Sequence, residues 1–200
     1  MDEELIRIMN PQTAIRLAVP EDGPALARIY GQYIDTPVTF ECIRPTDAEF
    51  SNRIRRISSI YPYLVCERDG QIAGYAYAHR QMERAAYGWN AELSIYLDAG
   101  HTSAGLGRRM YGVLMELLRL QGVHNVYGVV TVPNEKSERL HLGMGFRQIG
   151  VHRHTGYKCG AWWDVAWFER GLLPCTGEPE PLRTIDELPR MDVERILKMQ

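Results

Sequence analysis

Residues 93–122 read LSIYLDAGHTSAGLGRRMYGVLMELLRLQG. Leu93, Ile95 and Leu97 alternate with Ser94, Tyr96 and Asp98, the period-two pattern of a strand with one apolar face. Ala99 to Gly107 breaks that pattern with small and glycine residues. Leu106, Met110, Val113, Leu114, Leu117 and Leu118 then fall on one side of a helix, and Gly122 stops it. A strand, a glycine-containing loop and a helix start together make an anion site. The first N–H groups of a helix have no partner within it, and the helix dipole puts positive charge there. Gly105-x-Gly107 is not a Walker loop, because no Lys-Ser/Thr follows, and not a dinucleotide fingerprint, because Met110 replaces the third glycine. Alone, the loop reads better as a plain helix start with two small residues. Arg108 and Arg109 in the first turn are unfavourable for an isolated helix, and an anionic ligand would account for them.

Before this stretch, Ala14–Val19 has strand character, and Pro20-Glu21-Asp22 opens a helix with Leu26, Ile29, Tyr30 and Tyr33 on one face. Residues 35–45 are irregular, with a strand-like piece at Val38-Thr39-Phe40. Thr46 to Glu49 forms a capping box ahead of a helix that buries Phe50, Ile54 and Ile57. Tyr63–Glu67 and Ile72–His79 flank Asp69-Gly70, a type I′ hairpin signal. A polar loop at 81–88 leads into the strand 89–97. After the central helix, 125–132 is a continuous apolar strand, expected to be buried on both faces. Pro133-Asn134 precedes a short helix from Glu135 to about Leu142, and 146–157 and 161–168 read as a final antiparallel pair. The pattern predicts a mostly antiparallel sheet with helices on its faces, its parallel part being the right-handed crossover at 89–132. Residues 1–12 read as a leader, 171–183 as a proline- and glutamate-rich linker, and 184–199 as one more helix.

The 200 residues suit one domain with a tail. A net charge of -2 gives no electrostatic reason to expect nucleic acid or an anionic membrane as partner. The N-terminus lacks the basic and apolar regions of a signal peptide, and no stretch is long and apolar enough to span a bilayer. The four cysteines are scattered, without CxxC spacing or paired histidines, which reads as reduced cytoplasmic thiols and no metal site.

Two further features carry candidate chemistry. Asn134, Ser137 (or Glu138) and His141 share one face of the 135–142 helix. Asn134 also fits a simple N-cap, and His141 a half-buried helix histidine; at the open end of a sheet, though, a histidine suits proton transfer. Glu92 lies inside the strand before the glycine loop, on the side of Ser94 and Tyr96. It reads as a solvent-facing or ion-paired residue, or as a base for an attacking amine.

The combination of this strand, SAGLGR, a long helix and PNEKSERLHLGMGF resembles the Gcn5-related N-acetyltransferases (GNAT) over residues 13–170. Tyr61–Val65, Asp69–Tyr77, Arg84–Trp89, Glu92–Leu97 and Gly156–Val165 are similar to the phosphinothricin and methionine-sulfoximine N-acetyltransferase branch. The resemblance implies an α+β fold (a three-layer α/β arrangement): a mixed, mostly antiparallel twisted sheet of about seven strands, helices on both faces, and acetyl-CoA in the cleft between the two central parallel strands. It implies that backbone groups of Ser103, Ala104, Gly105, Leu106, Gly107 and Arg108 hold the pyrophosphate. Ile95, Tyr96 and Leu97 would pair with the pantetheine arm, with Asn134 and Ser137 beside it. Glu92 matches the general base and His141 the group that positions the thioester or protonates the leaving thiolate. Arg84 and Tyr87 match substrate positions, with Phe40 closing over them.

Two positions depart from the pattern. Thr102 stands where the family usually has Gln or Arg, and Met82 where the branch commonly has Lys, which removes a positive charge from the expected anion pocket. The acceptor implied is a small amino-acid-like amine, phosphinothricin or methionine sulfoximine in type. Alternatives are another small amine, a protein N-terminus, or a non-catalytic acetyl-CoA sensor. Neither a metal nor an acyl-enzyme is required. The branch also implies a cytoplasmic homodimer that meets through the 146–168 pair, with no nucleic-acid or membrane partner.

Overall fold

The computed structural model describes residues 13–101 and 105–199, so the leader 1–12 and Thr102, Ser103 and Ala104 lie outside the described residues. Seven strands form one sheet: β1 (Thr13–Leu17), β2 (Tyr63–Arg68), β3 (Gln71–Arg80), β4 (Asn90–Leu97), β5 (Asn125–Val132), β6 (Arg147–Lys158) and β7 (Ala161–Gly171). Their order is β1-β2-β3-β4-β5-β7-β6. Only β4 and β5 are parallel; every other neighbour is antiparallel. The helices are α1 (Gly23–Gly31), α2 (Asp47–Ser58), α3 (Leu106–Gln121), α4 (Glu135–Gly143) and α5 (Arg190–Leu197). This is the mixed α+β sheet with helices on both faces that the sequence pattern predicts.

Local chemistry sets the boundaries. Asp69 (φ 52°) and Gly70 (φ 79°) supply the two left-handed residues of the β2–β3 turn. The Thr46 side chain caps α2 by accepting from the Glu49 N–H, while the Glu49 carboxylate pairs with Arg53. Gly122 (φ 96°) ends α3 in a Schellman motif, with Gly122 N–H bonded to Arg119 O and Val123 N–H to Leu118 O.

The faces of the sheet differ. Under α3, one core gathers Leu64, Ala76, Leu93, Val126, Val130 and Phe168 around the apolar side of the helix. Each fully buried Leu or Met there contributes about 1.5–3 kcal/mol by leaving water. Under α1 and α2 the second core is aromatic: Tyr63, Tyr75, Tyr77 and Tyr96 stack in a file beside Tyr30 and Phe50.

Several expectations are corrected. Val38-Thr39-Phe40 is not a strand. The Thr39 carbonyl is satisfied by a side chain instead: the buried Lys158 ammonium donates to Thr39 O (2.5 Å) and to the neighbouring Glu41 O (2.7 Å). β5 is not buried on both faces; Val126 and Val130 are buried, whereas Tyr127, Val129 and Thr131 are only half-buried, Val129 and Thr131 lining a hollow. The 146–168 pair is not a buried pair either: β6 is an edge strand exposed from Arg147 to Thr155. The expected 184–199 helix is a short turn at Ile185–Glu187 followed, after Pro189, by α5. Ile185, Leu188, Val193 and Ile196 join the α3 core, and the segment before them is tied down. Gln121 Nε2 donates to Ile60 O and Arg183 O, both at 2.7 Å, and Trp89 Nε1 donates to Glu180 O at 2.7 Å.

Candidate active site

The parallel pairing of β4 with β5 runs from Asn90↔Asn125 to Leu93↔Gly128 and stops. Beyond it both strands continue, β4 held by β3 and β5 by β7, so they diverge like the arms of a V. The hollow inside the V is lined by Val38, Ser94, Tyr96, Tyr111, Thr131 and His141, among others. It lies beside a cleft of about 560 Å³ that runs out over the start of α3, lined by Ile95, Leu97, Gly105, Leu106, Gly107 and Arg108 on one side and Asn134, Ser137 and Leu140 on the other. Thus the described residues assigned to cofactor binding from the sequence line this cleft, except Tyr96, which lines the adjoining hollow.

The groove fits an apolar arm with an anionic end. Its walls include Val38, Ile95, Leu106 and Leu140, and its outer part adds Arg108, Lys136 and Arg139. Gly105 takes a left-handed φ of 76° at the head of α3. A Cβ on Gly107 would meet only ordinary contacts, Leu140 Cδ2 at 3.4 Å and Ile95 Cδ1 at 3.5 Å. Among the described residues nothing demands a glycine there, whereas a ligand approaching the helix start would. The loop is anchored from behind by Asp98, whose carboxylate accepts from Gln32, Arg28 and the Gly100 N–H. The Gln32 hydrogen bond leads the contributions that hold Asp98 below the usual carboxylate range.

Some of these residues also have structural duties. Asn134 caps α4 by accepting from Ser137 N–H at 3.2 Å, and the Glu138 carboxylate accepts from Asn134 N–H at 2.8 Å, so Ser137 rather than Glu138 faces the groove. Arg108 donates to Gly143 O at 2.9 Å and closes the end of α4. The Leu97 carbonyl already accepts from the Tyr33 hydroxyl at 2.5 Å.

His141 is 2% exposed and lies edge-on to Tyr111 and Phe146 and stacked on Phe168. Its Nδ1 lies 2.8 Å from Ser137 O, which can only accept, so Nδ1 carries the hydrogen. Nε2 is then an acceptor, 3.5 Å from the Tyr111 hydroxyl. Burial lowers the pKa of His141 and keeps the ring neutral. The ring's space exists because residue 128 is glycine: a Cβ there would stand 2.2 Å from Nε2. A glycine in the middle of an otherwise apolar strand signals such a close approach, and that signal was present in the sequence.

Glu92 projects from the opposite side of the sheet, with Ser94 and Tyr96, beside the tyrosine file. Its carboxylate is 3.6 Å from His79 Nε2. Phe40 packs its ring against Gly156, where a Cβ would lie 2.2 Å away, and it is Val38 from the same loop that lines the cleft. Arg84 and Tyr87 are exposed, on and beside the short turn Ala85–Tyr87, and line neither the V nor the groove. Val38, Asp98, Tyr111, Gly128 and Lys158 are site-building residues that the sequence reading missed. Among the described residues there is no group of three or more His, Cys, Asp or Glu able to hold a metal ion, and no helix long and apolar enough to cross a membrane.

A sheet whose two parallel central strands splay over a glycine loop is the framework of an acetyl-group transferase. The family described as "Acetyltransferase (GNAT) domain" matches residues 15–167, and the chain belongs to it. It is 36% identical over 185 residues to the phosphinothricin N-acetyltransferase of Streptomyces viridochromogenes, covering 90% of this chain and 100% of the relative. It is 28% identical to the L-methionine sulfoximine/L-methionine sulfone acetyltransferase of Salmonella typhimurium, covering 79% of this chain and 94% of the relative. Among solved structures it is similar to a phosphinothricin acetyltransferase from Sinorhizobium meliloti in complex with AcCoA, with a TM-score of 0.82, 30% identity, and coverage of 88% of this chain and 97% of that one.

Proposed function

We propose that this protein transfers an acetyl group from acetyl-CoA to the amino group of a small amino-acid-like acceptor, phosphinothricin or methionine sulfoximine in type, with Glu92 as general base. The observation that carries the reading is the position of Glu92. It sits one residue before the last β4–β5 pair, on the tyrosine-lined side, where an acceptor entering opposite the groove would reach the V. Acetyl-CoA, when bound, supplies an activated acetyl thioester. The groove's apolar walls and the N–H groups at the start of α3 would hold the arm and its phosphates. Ile95 and Leu97 offer strand-edge backbone groups to the arm, and backbone N–H groups near Ile95 and Tyr96 are the donors closest to developing negative charge.

An ammonium group must lose a proton before it can attack, and Glu92 Oε1 or Oε2 receives it. On the other side of the V, His141 Nε2 accepts from the Tyr111 hydroxyl; the thioester C–S bond would break as the C–N bond forms, and the released thiolate would leave along the groove with the coenzyme. Arg84 and Tyr87, with Phe40 above them, are proposed to complete the acceptor side. Met82 in the same loop favours an acceptor with less negative charge than a phosphinate, so another small amine is the second reading. We also propose a cytoplasmic homodimer, with the exposed β6 edge as its contact. The test is thiol release from acetyl-CoA with phosphinothricin, methionine sulfoximine and the common amino acids. Turnover with one or more of these is expected, lost in Glu92→Gln. Turnover that survives Glu92→Gln removes Glu92 as base, and no turnover with any amine removes the enzyme reading in favour of a sensor.

A further inference from the structure

Glu92 has a titratable neighbour that the roles above leave unused. His79 stands directly opposite it in the β3–β4 register, with Nε2 3.6 Å from Glu92 Oε1. His79 Nδ1 lies 3.0 Å from the Arg80 carbonyl. A carbonyl can only accept, so Nδ1 carries a hydrogen and Nε2 is the atom that exchanges a proton with the carboxylate. His79 also forms part of the wall of a separate hollow of about 620 Å³ between β3 and α2. One imidazole therefore touches both the base and a water-accessible space. At the sequence level His79 continues the Tyr75, Tyr77 file, where a packing residue would be apolar.

We propose that His79 is a positioning residue that relays the proton collected by Glu92 to solvent. The proposal rests on the reading of Glu92 as base. The substrate N–H bond breaks as the Glu92 O–H bond forms. That O–H bond then breaks as Nε2–H forms, and the Nε2–H bond breaks in turn as a water in the hollow takes the proton, leaving the neutral ring with Nδ1–H still on the Arg80 carbonyl. Only protons move; no electrons are gained or lost.

The surroundings favour such an exchange. Burial pulls the His79 pKa down, but the neighbouring Glu92 carboxylate outweighs it, and the net shift is upward. The other charged groups facing the hollow are Glu41 from the 36–45 loop, Glu49, Arg53 and Arg56 from α2, and Arg80 and Glu83 at the end of β3. Arg53 is bound to Glu41 at 2.7 Å and to Glu49 at 3.1 Å, so its charge is locally balanced. Glu92 remains the one carboxylate paired with His79 among the described residues.

The experiment is the pH dependence of kcat for wild type, Glu92→Gln, His79→Gln and His79→Ala, using the best amine from the acceptor panel and saturating acetyl-CoA. In His79→Gln we expect kcat to fall about 10-fold or more with both KM values within about 2-fold, and the acid limb to move from the histidine range toward the carboxylate range. Added imidazole should restore part of the His79→Ala rate. If Glu92→Gln is inactive while His79→Gln keeps the wild-type kcat and profile, the relay is overturned and the base assignment stands. A His79→Gln loss that is uniform across pH, with no imidazole rescue of His79→Ala, also overturns it. If Glu92→Gln retains wild-type kcat, both readings fall together.

Discussion

The two sides of β4 are built by different means. On the α3 side, Leu93 and Ile95 pack beneath the helix, and the groove is shaped by strand divergence, a left-handed glycine and a dry, neutral histidine. On the α2 side, Glu92, His79 and four stacked tyrosines face loops that are held by a few polar pins, above all Lys158. The proposed donor side is a property of the backbone and the core. The proposed acceptor side is a property of side chains and of how one loop is tethered. Changes on the first side should therefore affect folding and catalysis together, and changes on the second should separate them.

The sharpest separation is expected at Glu92. Glu92→Gln should lower kcat by about 10²–10⁴-fold, the usual contribution of a positioned base, and leave the urea midpoint nearly unchanged. A comparable loss of stability would show that the carboxylate is structural and would break the contrast. On the donor side, Gly128→Ala pushes a methyl group into the His141 ring. It should cost about 1–3 kcal/mol of stability and reduce turnover as well, as overpacking does. In a His141→Ala background the same change should cost less, which a double-mutant cycle of urea unfolding measures.

Lys158→Met leaves the Thr39 and Glu41 carbonyl groups without their donor. The expected cost is about 1–3 kcal/mol, with the KM for the amine raised and the KM for acetyl-CoA unchanged in steady-state assays. Equal rises in both KM values would mean that the loop serves the donor too. The smallest effect concerns pH. Folding lowers the His141 pKa, so below its unfolded value, about 6.5, the unfolded chain binds a proton that the native state refuses. Stability should thus fall as pH drops below about 6.5, and His141→Gln should remove that part of the slope in unfolding midpoints between about pH 5 and 7.

The donor side was the legible one. Its strand, glycine loop and helix follow each other without interruption from Leu93 to Gly122, so local periodicity was enough to place them. Asn134, Ser137 and His141 reached the groove because helical spacing alone puts them on one face. The acceptor side was less legible because its contacts are remote in sequence. The 36–45 loop is shaped by Lys158, more than a hundred residues away, and Val38-Thr39-Phe40 within it reads as strand-like because nothing nearby shows that the Thr39 carbonyl goes to a side chain. The pairing of His79 with Glu92 requires the register of two strands joined by the 81–89 loop, which no local pattern sets. β6 misled because its alternation survives although nothing among the described residues covers it.

The seating of α5 on α3 has a consequence for how the chain is made. Val193 and Ile196 fill the same core as Leu114 and Leu118. A ribosome releases a chain from its N-terminus at about 5–20 residues per second. The central helix therefore waits, with its apolar side incompletely covered, until α5 has emerged after it, and during that interval the nascent protein has apolar surface open to chaperones and to its own neighbours on the polysome.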